Sequence, residues 1–210
     1  NRMAVTLSAT VVLIALYHYV RIFDSWVATV GGSQGTFNEA YRYVDWILTV
    51  PLLVAELVLV LRLDKKLEST LLRRNVLYAF LMIATGYIGE MDVQTKVDLG
   101  SVRTIWGAIS SVFFFLILRD LFGGIQDSMK KQSKDVQGIF KVLRVILVAT
   151  WGVYPIAYLL PTIAGDLGLA AGDGFVLKQV GYTIADILAK PGYGLLIWRI
   201  ATLKDKGASR

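Results

Sequence analysis

A lysine and an aspartate lie four residues apart in an apolar stretch near the end of the chain. Asp186 and Lys190 are one helical turn apart, so both side chains would leave a helix on the same face. A buried amine loses its proton readily, and a neutral amine can form a Schiff base with an aldehyde. The same pair could instead be a structural salt bridge. A protonated imine would need a carboxylate counterion, for which Asp186 and Asp45 are the candidates.

A second set of ionisable residues forms a polar stripe in an earlier apolar stretch. Their separations of 3, 4 and 7 residues put them on one face of a helix: Arg42, Asp45, Thr49 and Glu56. At 1.5 Å per residue, Asp45 and Glu56 would lie about 16 Å apart, too far for one direct proton transfer. Charges at membrane depth are costly, so two carboxylates at different depths suggest a proton relay. For Arg42 and the single histidine, His18, the alternative is a structural or interfacial position.

Aromatic side chains near these groups could line an elongated apolar ligand. They are Trp46, Trp151, Tyr154, Tyr158 and Tyr182. Aromatic residues at helical spacing usually serve ordinary packing, so this set alone is weak evidence for a ligand.

The elements that must position these residues are membrane helices. Apolar residues make up 55% of the 210 residues, charged residues make up 18%, and the mean hydropathy is +0.57. About 20 apolar residues cross the hydrocarbon core as a helix. We therefore predict an all-α bundle, one domain over residues 1–210, with six spans near 3–23, 40–62, 75–90, 102–122, 139–163 and 175–200.

The absence of cysteine and the presence of one histidine exclude disulfides, thiolate sites and multi-histidine metal sites, and we expect no metal. The net charge of +6 could suggest nucleic acid, but no basic run is interleaved with aromatic residues for stacking. We therefore expect no nucleic-acid partner.

The distribution of basic residues predicts the orientation in the membrane. The termini and the 62–74 and 119–144 segments would share one side and hold 16 of the 22 Lys and Arg residues, which marks that side as cytoplasmic. The opposite segments, 24–39, 91–101 and 164–174, contain Lys96 and six acidic residues: Asp24, Glu39, Asp92, Asp98, Asp166 and Asp173. We expect the polar 123–138 segment to be a cytoplasmic loop.

Three segments resemble one known family, the microbial (type 1) rhodopsins. Residues 42–53, RYVDWILTVPLL, resemble the third-helix signature of that family, and residues 186–190, DILAK, resemble its retinal-attachment sequence. Residues 151–155, WGVYP, match its sixth-helix segment. The resemblance covers nearly the whole chain in order, and within the family it is closest to the proton-pumping proteorhodopsin and xanthorhodopsin branch.

The resemblance implies a role for each charged group. Lys190 would carry all-trans retinal as a Schiff base, Asp45 would be the primary counterion and proton acceptor, and Asp186 the second counterion. Arg42 would lie outward of the counterions, and Glu56 would occupy the position of the cytoplasmic proton donor. With Thr49, the residues Asp45 and Glu56 give the Asp-Thr-Glu pattern of outward proton pumps.

The resemblance also implies a retinal pocket. His18 aligns with the histidine that pairs with the counterion in this branch. Gly107 stands where most family members have a large aromatic residue, and the glycine would open a window to the lipid where a carotenoid antenna can lie. The alternative is a helix-packing glycine. The other pocket positions would be Trp46, Leu53, Met82, Gly86, Trp151, Tyr154, Tyr158 and Asp186.

Two features depart from the family pattern. The alignment makes the first span here the second helix of the family, so we expect the first family helix to be absent from this sequence. Lys178 stands where haloarchaeal proton pumps keep an outer release carboxylate, so we expect proton release by a different route or with different timing.

The predicted function is a light-driven outward proton pump in the cell (inner) membrane, an ion transporter and not an enzyme. We expect the lipid bilayer and protons as partners and a homo-oligomeric assembly. The main alternative is a sensory rhodopsin that signals to a membrane transducer, although sensors commonly lack a carboxylate at the Glu56 position. An ion-coupled secondary transporter is a third possibility, but the sequence contains no visible inverted repeat.

Overall fold

The computed structural model describes residues 2–33, 36–91 and 101–208. Over these residues the chain is helical, with six segments that cross a bundle and two π-helical turns, at Asp120–Gly124 and Leu188–Gly192. The predicted all-α bundle is confirmed. Its helices are α1 Arg2–Val30, α2 Ala40–Val60, α3 Lys65–Glu90, α4 Val102–Arg119, α5 Gln126–Lys130, α6 Lys134–Trp151, α7 Val153–Ile163, α8 Ala171–Ile187 and α9 Tyr193–Ala208.

The predicted boundaries need two corrections. α1 continues to Val30 instead of ending near residue 23, because Arg21 and Asp24 are exposed on the helix surface and do not interrupt its backbone. The 123–138 segment is not wholly a loop, since it contains the short helix α5 and the first turn of α6. The predictions for Asp92, Lys96 and Asp98 lie outside the described residues.

Ion pairs at opposite ends of the bundle fix the directions of α2 and of the α8–α9 segment. Arg62, just after α2, pairs with Asp205 of α9 at 2.8 Å. Lys178 of α8 contacts Glu39, just before α2, at 2.5 Å. The two segments therefore run parallel.

The α3 and α4 helices run antiparallel. Glu90 at the end of α3 pairs with Arg103 at the start of α4 at 3.1 Å, and Arg74 near the start of α3 pairs with Asp120 just after α4 at 2.6 Å. We name the two ends of the bundle from α2: the Arg42 end, where α2 begins, and the Glu56 end, where it finishes.

The surface of the bundle is apolar. Large aliphatic and aromatic side chains point outward, among them Leu13, Phe115, Val145 and Leu195, each more than 60% exposed. Contiguous apolar surface of this kind is what a helical protein presents to lipid. Together with the helical architecture, it indicates a multi-pass membrane protein.

Four segments of the described chain are long and apolar enough to span a membrane by length and composition: Arg2–Val30, Ala40–Val60, Val102–Lys130 and Lys134–Ile163. The other two crossing segments, α3 and α8–α9, do not meet this criterion. The first part of α3 is rich in charged residues, and the last crossing segment is divided into helices of 17 and 16 residues.

Prolines interrupt the regular helices around the buried polar groups. Pro191 has no backbone N–H to donate to the carbonyl of Ile187, and the chain forms a π-helical turn at this point. Lys190 lies in that turn. Pro155 likewise cannot donate to the carbonyl of Trp151, where α6 ends and α7 begins. Local breaks in hydrogen bonding thus occur next to the lysine and to an aromatic residue of the predicted pocket.

We expect Asp120→Asn to lower the stability of the bundle at the Glu56 end. The buried Asp120 carboxylate accepts hydrogen bonds from Arg74 at 2.6 Å, Arg119 at 3.1 Å and Asn75 at 3.3 Å. An amide cannot neutralise the arginines, and its NH2 would face other donors, so the loss should be about 2 kcal/mol. The midpoint of thermal unfolding in detergent, followed by circular dichroism, measures it.

Asp127→Asn is the matched control. Asp127 also pairs with a basic residue, Lys130, but its side chain is 92% exposed. The control should leave the unfolding midpoint unchanged. Equal midpoints for both variants would contradict a stabilising role for Asp120.

Candidate functional site

The centre of the site is one cation between two buried carboxylates. The Lys190 ammonium contacts Asp45 Oδ2 from α2 and lies 3.1 Å from Asp186 Oδ1 on its own segment. All three side chains are at most 2% exposed. The i, i+4 placement of Asp186 and Lys190 is as predicted, and the structure brings Asp45 to the same point from a distant part of the chain.

Asp186 is surrounded by hydrogen-bond donors. It accepts from Tyr154 at 2.6 Å, from Tyr19 at 2.7 Å and from the Trp46 indole N–H at 3.1 Å. Arg42 adds a second positive charge at 3.6 Å. Donors and cations on every side stabilise the ionised carboxylate, so Asp186 should remain charged.

Asp45 has far fewer partners. Its Oδ1 has no hydrogen-bond partner among the described residues, and the Thr49 hydroxyl donates to the backbone carbonyl of Asp45 instead of to its carboxylate. The predicted partner His18 lies near, with 3.8 Å between Nδ1 and Oδ1, but this nitrogen bonds the Ile14 carbonyl at 2.9 Å. Asp45 therefore has an oxygen that can accept a proton.

Arg42 lies about one helical turn before Asp45 on α2, closer to the Arg42 end of the bundle. Its guanidinium donates to Tyr19 and to Gln179, both at 3.1 Å, and lies 5.5 Å from the ring centres of Tyr19 and Tyr182. The side chain is 1% exposed. Arg42 thus closes the lysine site on that side and joins it to polar groups farther out.

Glu56 is buried at the other end of the stripe. Its side chain is fully buried, and neither carboxyl oxygen makes a hydrogen bond within the described residues. The hydroxyl of Ser8 on α1 faces it. A partnerless carboxylate in apolar surroundings is strongly disfavoured, which favours the neutral, protonated form. All four residues of the predicted stripe are buried, with Arg42 and Glu56 on opposite sides of Asp45 along the helix.

An apolar cavity of about 250 Å³ is lined by Lys190 and by residues of α4, among others. Nine of the ten predicted cofactor-binding residues line it: Trp46, Leu53, Met82, Gly86, Gly107, Trp151, Tyr154, Tyr158 and Lys190. The tenth, Asp186, bonds to three of these. The lining is mostly aromatic, aliphatic and glycine, and it also contains the primary amine of Lys190 and three hydroxyl residues of α4, Thr104, Ser110 and Ser111. Such a cavity fits retinal, an elongated apolar aldehyde.

The Gly107 position is covered by an aromatic ring. A Cβ atom at Gly107 would lie 2.7 Å from Tyr158 Cε1, and one at Gly89 would lie 2.1 Å from the Tyr158 hydroxyl. Both glycines therefore make room for Tyr158. A larger side chain at position 107 would therefore require this ring to move.

Some residues of the site were missed in the sequence. Tyr19 bonds both Asp186 and Arg42, and Ser8 faces Glu56, yet neither has a distinctive spacing relative to its partner. Glu90 and Arg103 form a buried ion pair near the Arg42 end. Their positions inside the predicted apolar stretches 75–90 and 102–122 were the available signal, because charged residues are rarely buried unless they are paired.

The fold and the site define a class: a helical membrane protein whose interior holds a lysine between two carboxylates and an apolar cavity lined by that lysine. A sequence profile described as Bacteriorhodopsin-like protein matches residues 1–204. The chain belongs to this family, the microbial rhodopsins.

Individual relatives agree with the family. The crystal structure of xanthorhodopsin, titled a light-driven ion pump with dual chromophore, is 43% identical, with a TM-score of 0.87 over 99% of this chain and 82% of that one. A green-light absorbing proteorhodopsin of Gamma-proteobacterium EBAC31A08 is 27% identical over 98% of this chain and 76% of its own. Cruxrhodopsin-3 of Haloarcula vallismortis is 30% identical over 93% of this chain and 76% of its own.

We expect Lys190→Ala to prevent attachment of retinal. The Lys190 amine is the primary amine in the cavity lining, so its loss should leave no visible absorption band when retinal is added. Lys178→Ala is the control, since Lys178 is also a buried lysine of α8 but lies outside the cavity. It should still give a coloured protein. A retinal pigment in Lys190→Ala, with a normal helical spectrum, would rule out this attachment site.

Proposed function

We propose that this protein is a light-driven outward proton pump in which retinal is bound to Lys190 as a Schiff base. Retinal, when bound, supplies the absorption of light and the change of shape that follows it. The main support is the unequal surroundings of two carboxylates around one nitrogen: Asp186 has several donors, whereas Asp45 has an unpartnered oxygen. The similarity to xanthorhodopsin, whose title names a light-driven ion pump, supports the same proposal.

In the proposed transport cycle, the first step is a proton transfer from the Lys190 nitrogen to Asp45. The two groups are in direct contact, so no intermediate carrier is needed. Asp186 does not compete for the proton, because Arg42, Tyr19 and Tyr154 all stabilise its ionised form. Transfer to Asp45 removes one opposite-charge pair from the buried interior, which limits the energetic penalty of separating charge there.

In a later step, Glu56 returns a proton to the same nitrogen. Its buried carboxyl group, without partners in the described residues, holds a proton until the Lys190 nitrogen is free. Asp45 and Glu56 lie toward opposite ends of α2, so a proton lost toward one and regained from the other moves in one direction. Direction also requires that the nitrogen faces different ends before and after its proton affinity changes.

The orientation in the membrane follows from the charges. Loops and termini at the Glu56 end carry most of the Lys and Arg residues, so we assign this end, with the 62–74 and 119–144 segments and the C-terminus, to the cytoplasm. The Arg42 end then faces outward, and the proposed transport is from the cytoplasm to the exterior.

We propose that residues 1–210 act as one transmembrane domain and assemble as a homo-oligomer. The carotenoid antenna beside Gly107 stays a prediction, suggested by the dual chromophore named for xanthorhodopsin. In this chain a carotenoid ring would contact Tyr158, because that residue covers Gly107. The sensory alternative is disfavoured by Glu56, a proton donor that signalling does not require.

We expect Asp45→Asn to abolish proton transport and to shift the absorption of the pigment to longer wavelength. An amide cannot accept the proton, and it no longer stabilises the positive charge on the Lys190 nitrogen. The test is the external pH of an illuminated, unbuffered suspension of retinal-supplied cells, with and without a protonophore. Asp24→Asn, an exposed carboxylate near the Arg42 end, is the control and should acidify the medium normally. Undiminished pumping by Asp45→Asn would refute the acceptor role.

We expect Glu56→Gln to slow the return of the proton to the Lys190 nitrogen by about a hundredfold or more, since a positioned acid contributes a factor of that size. Flash spectroscopy of the purified pigment measures the return rate. Asp127→Asn, an exposed carboxylate at the same end, should leave it unchanged. Added azide or another small weak acid should partly restore the rate in Glu56→Gln. An unaltered rate without azide would remove the donor role.

A further inference from the structure

A second lysine, closer to the Arg42 end, also lies between two carboxylates. The Lys178 ammonium lies 2.5 Å from Glu39 Oε1 and 2.7 Å from Glu90 Oε1. The lysine and Glu90 side chains are 4% and 2% exposed. Lys178 is twelve residues before Lys190, about 18 Å along the same helical segment. We name Glu39, Lys178 and Glu90 the outer cluster.

Within the outer cluster, Glu90 is the carboxylate with many partners. Arg103 donates to both of its oxygens at 3.1 Å, and the Tyr43 hydroxyl donates to Oε2 at 3.3 Å. With Lys178 it therefore faces two cations and a hydroxyl. Glu90 thus has the same kind of surroundings as Asp186, with two cations and a hydroxyl donor around one carboxylate.

Glu39 is the carboxylate with a free oxygen. Its Oε1 accepts from Lys178 and from the Gln179 amide at 2.7 Å, but its buried Oε2 has no hydrogen-bond partner among the described residues. Burial raises the pKa of Glu39; Lys178 opposes the rise, and the charge of Glu90 adds to it. Proton binding at this carboxyl is therefore easier than at an ordinary surface glutamate.

A hydrogen-bonded chain joins the outer cluster to the lysine site. Arg42 lies 3.6 Å from Asp186 and donates to the Gln179 carbonyl oxygen at 3.1 Å, while the Gln179 amide donates to Glu39. Gln179 thus links the arginine that closes the inner site to the carboxylate with the free oxygen. A change in charge at Asp45 and Asp186 has a short polar route to Glu39.

A polar cavity of about 300 Å³ lies on the other side of the outer cluster. Glu39 and Glu90 line it together with Asn38, Tyr87 and Met91, and the side chain of Met91 is 55% exposed. The cavity therefore reaches the protein surface and is large enough for several water molecules. Glu39 lies between this cavity and the chain of hydrogen bonds that leads inward.

We propose that Glu39 is the exit station for the transported proton, with Lys178 and Glu90 as the fixed charges that position it. This rests on the proposed pump. In each cycle the proton leaves Asp45, binds the ionised Glu39 carboxylate and then passes to water in the polar cavity. Asp45 and Glu39 both end the cycle ionised, so one proton crosses per cycle and no other reactant is needed.

The test compares proton release after a single flash in the wild-type pigment and in Glu39→Gln. A pH-indicator dye reports the arrival of the proton in the medium, and the infrared band of protonated Asp45 reports its departure from that residue. We expect release and the decay of the Asp45 band to slow together by about tenfold or more, because the amide cannot carry the proton. Asp24→Asn, an exposed outer carboxylate, should release its proton on the wild-type time scale.

The pH dependence has a definite sign. Below the pKa of Glu39 the carboxyl is already protonated in the dark and cannot accept, so wild-type release should slow as the pH falls through that value. The groups that face Glu39 are Lys178, Gln179, Glu90 and Arg42. Glu39→Gln should be slow at every pH and should lack the infrared band of a carboxyl that titrates in the dark protein.

Two outcomes would contradict the role of Glu39 as exit station. One is proton release from Glu39→Gln on the wild-type time scale. The other is equally slow release from Asp24→Asn, which would indicate a general effect of surface charge. If Glu39→Gln gives no pigment, Gln179→Leu is the second variant, because it breaks the link between Glu39 and Arg42 without changing the charge. It should also slow proton release. Release on the wild-type time scale in Gln179→Leu would contradict the proposal as well. A wild-type protein that transports no protons would instead disprove the pump, and the dark titration band of Glu39 would still be measurable.

Discussion

The structure depends on an uneven distribution of hydrogen-bond donors around Lys190. One ammonium group serves two carboxylates that are both withdrawn from water, and the surrounding helices settle which of them is satisfied by other means. Tyr19, Tyr154 and Trp46 direct their donors to Asp186, not to Asp45. An unsatisfied buried carboxylate is costly, and Asp45 has no other hydrogen-bond donor for its carboxylate among the described residues, so it stays in contact with Lys190. In the proposed pump, proton transfer from Lys190 to Asp45 neutralises both of these buried charges.

The outer cluster repeats this arrangement with different residues. Lys178 lies between Glu90, which has an arginine and a tyrosine hydroxyl as further partners, and Glu39, which keeps one oxygen free. The two buried lysines of this crossing segment, Lys178 and Lys190, are thus each paired with one saturated and one unsaturated carboxylate. The saturated member provides a fixed charge that changes little, and the unsaturated member can gain a proton without breaking a network. Arg42 lies between the two levels and belongs to both.

The sequence predicted those parts of the site that lie on a single helix or in a family motif. The stripe on α2 and the Asp186–Lys190 pair follow from helical spacing, which is local. The outer cluster depends on contacts between residues 39, 90 and 178, and no spacing rule relates positions on three separate helices. The contact between Tyr158 and Gly107 was not predicted for a related reason. A glycine indicates that another group approaches closely, but not which side chain does so. The extension of α1 past Arg21 was missed because exposed charges do not end a helix.

The two ends of the bundle differ in a way that bears on direction. From Asp186 toward the Arg42 end, polar side chains follow one another closely, through Arg42 and Gln179 to Glu39 and a cavity that reaches the surface. Toward the other end, Glu56 is buried without a hydrogen-bond partner in the described chain. In the proposed pump, Glu39 and the cavity beside it are already in place at rest to receive an outgoing proton, whereas a proton reaches Glu56 only when the apolar region around it opens. Exit through existing contacts and entry through a transient opening make back-flow slow, because the two halves of the path are never connected at rest.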